Sequence, residues 1–194
     1  IVWLISIVVL AAYSAYWGTY RFTSYSTDIF SLSVVVAGAI SIGKMAMSPP
    51  SALIAGFISD KIGIAKSVSI LFVILILSFL IFAFMPGLPL LLPFMITNIA
   101  IASLAVFDLR GIYFALLEEG GVPMTVTGTA TGFISMIGFT PDIFMPLIGG
   151  LLLDRLPTIE GYHAFFLIVA GICTLGLVAA LMIYHIVSSS KKDK

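Results

Sequence analysis

The sequence predicts an all-α membrane protein whose six transmembrane helices form an inverted three-plus-three repeat. Three observations carry that expectation. Hydrophobic residues make up 61% of the chain and charged residues only 9%, where a soluble domain carries about 25% charged residues; the mean hydropathy is +1.22. The apolar residues fall into six runs, each long enough for the roughly 20 residues that a bilayer-spanning helix needs. Finally, Gly56-x-x-x-Asp60-Lys61 ends the second run and Gly150-x-x-x-Asp154-Arg155 ends the fifth. The two lie about 94 residues apart, and the implied topology puts them on opposite membrane sides, the trace an inverted repeat leaves.

The expected spans are 1–22, 29–58, 65–85, 89–116, 124–153 and 161–187, followed by a tail over 188–194. Short links make successive spans antiparallel. Backbone groups at membrane depth must be paired within the protein, and no run shows the alternation of a lipid-facing barrel strand, so helices are expected throughout. The first span opens at Ile1-Val2-Trp3 with neither a methionine nor a basic leader. It reads as a helix already under way rather than a signal peptide, and the chain as part of a longer protein. The second span carries Lys44 and the Pro49-Pro50 step, the fourth Pro93, Asp108 and Arg110, and the fifth Pro141, Asp142 and Pro146. Prolines inside a helix remove a hydrogen bond and bend it. The third and sixth spans are the blandest, with serine as the third's one polar residue type between Ser67 and Met85. They are expected to stand against lipid, while the polar, bent spans turn toward a cavity.

Basic residues set the orientation. Lys61, Lys66, Lys191, Lys192 and Lys194 fall on one side, Arg21 and Arg155 on the other. The first side is expected to be cytoplasmic and to hold both chain ends, in a bacterial inner membrane. A single cysteine, Cys173, excludes an internal disulfide framework or cysteine metal site, and no cofactor or metal is expected. The net charge of zero gives no reason to expect nucleic acid among the partners. A membrane-embedded enzyme is disfavoured: neither His-Glu-x-x-His nor Gly-x-Ser-x-Gly occurs.

The link between the second and third spans reads Gly56-x-x-x-Asp60-Lys61-x-Gly63-x-x-Lys66. It resembles the signature loop of the major facilitator superfamily, which joins the second and third helices of each six-helix half. A second stretch, from Arg110-Gly111 through Glu118-Glu119, Pro123 and Gly128 to Pro141-Asp142 and Gly149-Gly150, is similar to the tenth and eleventh helices of a bacterial subgroup of nitrate/nitrite-type or organic-anion porters. The resemblance covers essentially the whole chain. It implies the C-terminal half of a secondary active transporter, a symporter for a small polar, anionic organic solute, working by alternating access. The partners it implies are the solute, the lipid bilayer and an N-terminal six-helix half. A membrane sensor or assembly subunit of the same fold is the alternative. The resemblance also implies a cytoplasmic gate of Gly56, Asp60, Lys61, Gly63 and Arg110, with Asp60 meeting Arg110 and the start of the fifth span near Met124 to Thr127. Gly56 would allow close helix packing, and Gly63 a tight reversal. Asp108 has no clear partner in the sequence, with an offset to Arg110 as its simplest role.

Candidate substrate-binding residues are Lys44, Tyr13, Tyr16 and Asp142. An intramembrane lysine costs from about 2.5 to more than 10 kcal/mol unless it has a partner, water or ligand. Lys44 is thus expected either to face the cavity and hold an anion, or to pair with Asp142. Asp142 would serve as counter-charge, proton carrier or cap for the helix that restarts after Pro141. Burial disfavours the charged form of either group, so protonation could trade with substrate. Tyr13, Tyr16, Trp17 and Tyr20 share one helix face at i, i+3, i+4 and i+7. Tyr13 and Tyr16 are candidates for the cavity wall, and Trp17 and Tyr20 for an interfacial belt. His163 and His185 lie near span ends, and Cys173 is expected to be packed.

Overall fold

A computed structural model describes residues 1–192. These are 89% helical, with no strand among the described residues. Helix α1 runs Val2–Asp28. The second apolar run forms two helices, α2 (Val34–Ala46) and α3 (Ser48–Ile62), broken at Met47. Ser33 caps α2, its hydroxyl accepting from the Val36 amide at 3.4 Å. Pro49 and Pro50 open α3, where a missing N–H costs nothing because the first amides of a helix have no internal partner. Gly63 ends α3 at φ 92° and begins α4 (Ile64–Phe84). That left-handed conformation, which glycine alone adopts freely, makes the one-residue reversal expected there.

A 3₁₀ turn (Pro89–Leu91) leads into α5 (Leu92–Ile112), which tightens into a second such turn (Tyr113–Ala115) and a short α6 (Leu116–Glu119). The fifth apolar run is also broken. α7 (Met124–Gly138) and α8 (Pro141–Arg155) are separated at Phe139-Thr140, with Pro141 at the start of α8. α9 spans Thr158–Lys192 and so continues past the tail boundary expected at 187. Lys194 and the side chains of Lys191 and Lys192, used to orient the chain, lie outside the described residues. Five segments are long and apolar enough to cross a bilayer: α1, α4, Pro89–Glu119, Met124–Arg155 and Thr158–Ser189. The interrupted α2–α3 segment, with its lysine and two prolines, is not among them.

The bland helices do not form an outer shell. The most extensive pairings in the molecule are α4 with α9 and α1 with α9. Inward, α4 buries Phe72, Leu75, Phe79 and Phe82, which meet Phe165, Phe166, Val169 and Cys173 of α9 in a single core. Outward, the two helices expose apolar stripes, Ile70, Val73 and Leu77 on α4 and Leu175, Val178 and Leu181 on α9. Their largely apolar composition suits two apolar surroundings, protein on one side and lipid on the other. The bent segments are the least enclosed: α2 buries only Ala37 and Lys44, and α8 only Pro141, Met145 and Gly149.

Candidate functional site

The polar residues gather on the side of α1 that faces α2, α5, α7 and α8, about half-way along its length. The two helix breaks lie at this level. Lys44 sits in the last turn of α2 and Asp142 in the first turn of α8. A cation at a helix C-terminus and an anion at an N-terminus both match the local backbone dipole.

Lys44 is buried, with 8% of its surface exposed. Its ammonium donates to the Thr19 carbonyl at 3.1 Å and to Thr19 Oγ1 at 3.3 Å. The third proton remains, and the Tyr20 ring centroid lies 5.2 Å away. The expected pairing with Asp142 is not made. Asp142 instead accepts from Trp17 Nε1 at 2.8 Å and from the Tyr13 hydroxyl at 3.4 Å, which ties the start of α8 to α1. It makes no capping bond of its own helix.

Arg110 points into the same region rather than toward the helix end. Its guanidinium carbon lies 4.0 Å from the Tyr16 ring centroid and 5.7 Å from that of Tyr13. Stacking of this kind is worth roughly 0.5–2 kcal/mol, depending on solvation. Arg110 Nε is buried without a hydrogen-bond partner. The hydroxyls of Tyr16 and Tyr20 share a hydrogen bond at 2.8 Å. Between these groups is a cavity of about 250 Å³. Tyr16, Tyr20 and Thr23 of α1 form one wall. Ser41, Lys44 and Met45 of α2, Ser48, and Phe107 and Arg110 of α5 complete it. Of the four aromatic residues of the α1 stripe, Tyr16 and Tyr20 line this cavity, whereas Tyr13, expected on its wall, does not and bonds Asp142 together with Trp17.

The gate constellation is not assembled as expected. Asp60, Lys61, Gly63 and Lys66 line a separate cavity of about 350 Å³ with Glu119, Tyr184 and Ser188, and Arg110 is not part of it. Arg110 lies too deep, held by two aromatic faces. Asp60 does not meet the start of the fifth span either; Met124 there is 87% exposed. The carboxylate that caps a helix at this end belongs to Glu119, which accepts from the Ala65 amide at 2.7 Å. Gly56 makes no close approach: a Cβ there would meet nothing within 4 Å, whereas one at Gly111 would lie 3.5 Å from Ala52. Close contact between α3 and α5 therefore runs through Gly111. Asp108 lies two residues from Arg110 yet on the opposite side of α5. It lines a small apolar cavity with Ala55, Ile58, Leu71 and Ile112, and its Oδ1 is buried without a partner. It does not offset Arg110.

His163 bonds the Met85 carbonyl through Nε2 at 3.1 Å, and His185 lines an apolar surface groove. Cys173 is buried in the core, as expected. Two site residues carried no sequence signal. Thr19 holds Lys44 largely through its main chain, and Glu119 lies past the expected end of the fourth span. Thr23 could have been found, since it extends the Tyr13, Tyr16, Tyr20 stripe by a further three residues.

Fold and site together define a polytopic α-helical membrane protein with a cationic cavity at mid-depth. The chain is 29% identical, over 197 residues and 99% of its length, to the inner membrane protein YihN of Escherichia coli K12. It is 31% identical, over 192 residues and 91% of its length, to the inner membrane protein YqcE of the same organism. It spans 46% of the first and 42% of the second, less than half of each relative. No family model matches the chain, and no solved structure matches it significantly.

Proposed function

We propose that this chain is one six-helix half of a secondary active transporter of the major facilitator type. It carries a small, polar, anionic organic solute across the inner membrane by alternating access. The observation that carries this reading is the convergence of Lys44 and Arg110 on one mid-depth cavity whose lining, among the described residues, holds no carboxylate. Two cations placed there are costly to maintain, and an anionic solute compensates them. The breaks at Met47 and at Phe139-Thr140 add support. Discontinuous helices in corresponding places of two inverted repeats are where transporters build their sites, and the separation of these breaks is within two residues of that of the glycine–aspartate echo. The similarity to inner membrane proteins more than twice as long fits a second half rocking against this one. Asp142 acts as a tether between α8 and α1.

The test is solute uptake by the full-length protein in proteoliposomes, with and without a pH gradient. Accumulation of organic anions that is lost in Lys44→Ala and Arg110→Ala supports the carrier. Specific binding without uptake under any gradient would leave the sensor reading instead. Uptake of anions unchanged in both variants would remove the cavity from the mechanism.

A further inference from the structure

We infer that the cavity between α1, α2 and α5 selects solutes carrying two negative charges over singly charged ones; this deepens the proposed anion-carrier reading and rests on it. Every polar side chain lining the cavity can donate a hydrogen bond. Lys44 supplies the one ammonium proton not already given to Thr19. The Arg110 guanidinium carbon lies 4.0 Å from the Tyr16 ring centroid, and its Nε–H is buried without an acceptor among the described residues. The Tyr16–Tyr20 hydroxyl pair uses one of its two protons internally, so the other is free to donate. Ser41 and Thr23 add hydroxyls.

Among the described residues, no carboxylate lines this space. The titratable or charged groups among them that face it are Lys44 from α2, Tyr16 and Tyr20 from α1 and Arg110 from α5. The nearby acids are engaged or turned away. Asp142 of α8 is held by Trp17 and Tyr13, and Asp108 faces the apolar cavity on the other side of α5. A monoanion would leave one cation buried and uncompensated, an unfavourable outcome in a low-dielectric site. A dianion neutralises both and accepts from the spare donors. The volume of about 250 Å³ accommodates a charged head group with a short organic body. The two charges can reside on one group, as in a phosphomonoester, or on two, as in a short dicarboxylate.

The experiment uses the full-length protein purified in detergent and measures affinities for matched probes by titration calorimetry. Ethyl phosphate is compared with diethyl phosphate, and succinate with its half-amide. A phosphomonoester loses its second proton near pH 6, so it is a dianion at pH 7.5 and a monoanion at pH 5. Ethyl phosphate is expected to bind about tenfold tighter than diethyl phosphate at pH 7.5, and to lose that advantage at pH 5. Lys44→Gln is expected to erase the preference while retaining weak anion binding. Succinate preferred over its half-amide, with the two phosphates equal, also supports the inference and assigns the charges to two groups. Equal affinity within both pairs at pH 7.5 would overturn dianion selection and leave the anion carrier standing. No binding of any of the four would overturn both.

Discussion

The two sides of α1 follow opposite rules. Toward α4 and α9 it presents Ala11, Ala15 and Gly18, and the neighbouring helices close tightly on them. A Cβ at Gly18 would lie 2.8 Å from Phe79, and one at Gly176 of α9 would lie 2.5 Å from Ala11. Small residues that bring backbones together are what helix association in a bilayer requires, because lipid offers no hydrophobic drive between helices. Toward α2, α5 and α8 the same helix presents Tyr13, Tyr16, Trp17 and Tyr20, whose polar tips bind Asp142 and one another. One side is sealed by shape, and between α1, α2 and α5 the other leaves a cavity with aromatic walls. The proposed exchange of solute needs a rigid wall to work against, and α1 supplies the wall and part of the cavity from one helix.

Substitutions can break this contrast, beginning with the sealed side. Phe166 of α9 packs with the rings of Phe22, Tyr25, Phe79 and Phe82. Phe166→Ala is expected to destabilise the protein by about 3–5 kcal/mol, read as a fall in thermal unfolding temperature in detergent, with transport per folded molecule largely retained. Transport lost without a change in stability would mean the sealed side takes part in the site. Gly18→Val should cost about 1–3 kcal/mol by overpacking against Phe79; an unchanged melting curve would show that α1 and α4 are not as close as described. On the open side, Trp17→Phe removes the shorter of the two bonds to the Asp142 carboxylate. About 1–3 kcal/mol is expected, together with reduced uptake. If stability and uptake both survive, Asp142 does not tether α8. The smallest effect belongs to Gly56→Ala, which enters open space on α3. It should be neutral or stabilising by up to about 1 kcal/mol, and a clear loss of stability would restore the close helix contact implied by the signature-loop resemblance.

Much of this arrangement was legible in the sequence, for identifiable reasons. Helical periodicity alone put the four aromatics of α1 on one face. Pro49-Pro50 and Pro141 marked the breaks to within a few residues, because proline belongs at a helix start. Lys44 and Asp142 stood out as charges in apolar runs. Which group each charge would find was not legible. That depends on how α1 is rotated against α2 and α8, and a backbone carbonyl such as that of Thr19 has no signature. Arg110 was ambiguous because a long side chain near a helix end can reach outward or inward, and here two aromatic faces decide. The blandness of α4 and α9 predicts a place against lipid at the outside of the bundle. Composition cannot separate that from one face in lipid and one in a phenylalanine-rich core, since both favour the same residues.

The bond from Glu119 to the Ala65 amide has a consequence for motion. It fastens the end of α6 to the first turn of α4, beside the Gly63 reversal, so two turns remote in the chain behave as one clasp. A swing that parts them strips the cap from α4 and leaves an amide without its acceptor, a cost of about 0.5–2 kcal/mol. That sum is small enough for thermal agitation to meet and large enough to bias which posture the molecule rests in. A single acid at the rim would then set how readily this end of the bundle unlatches.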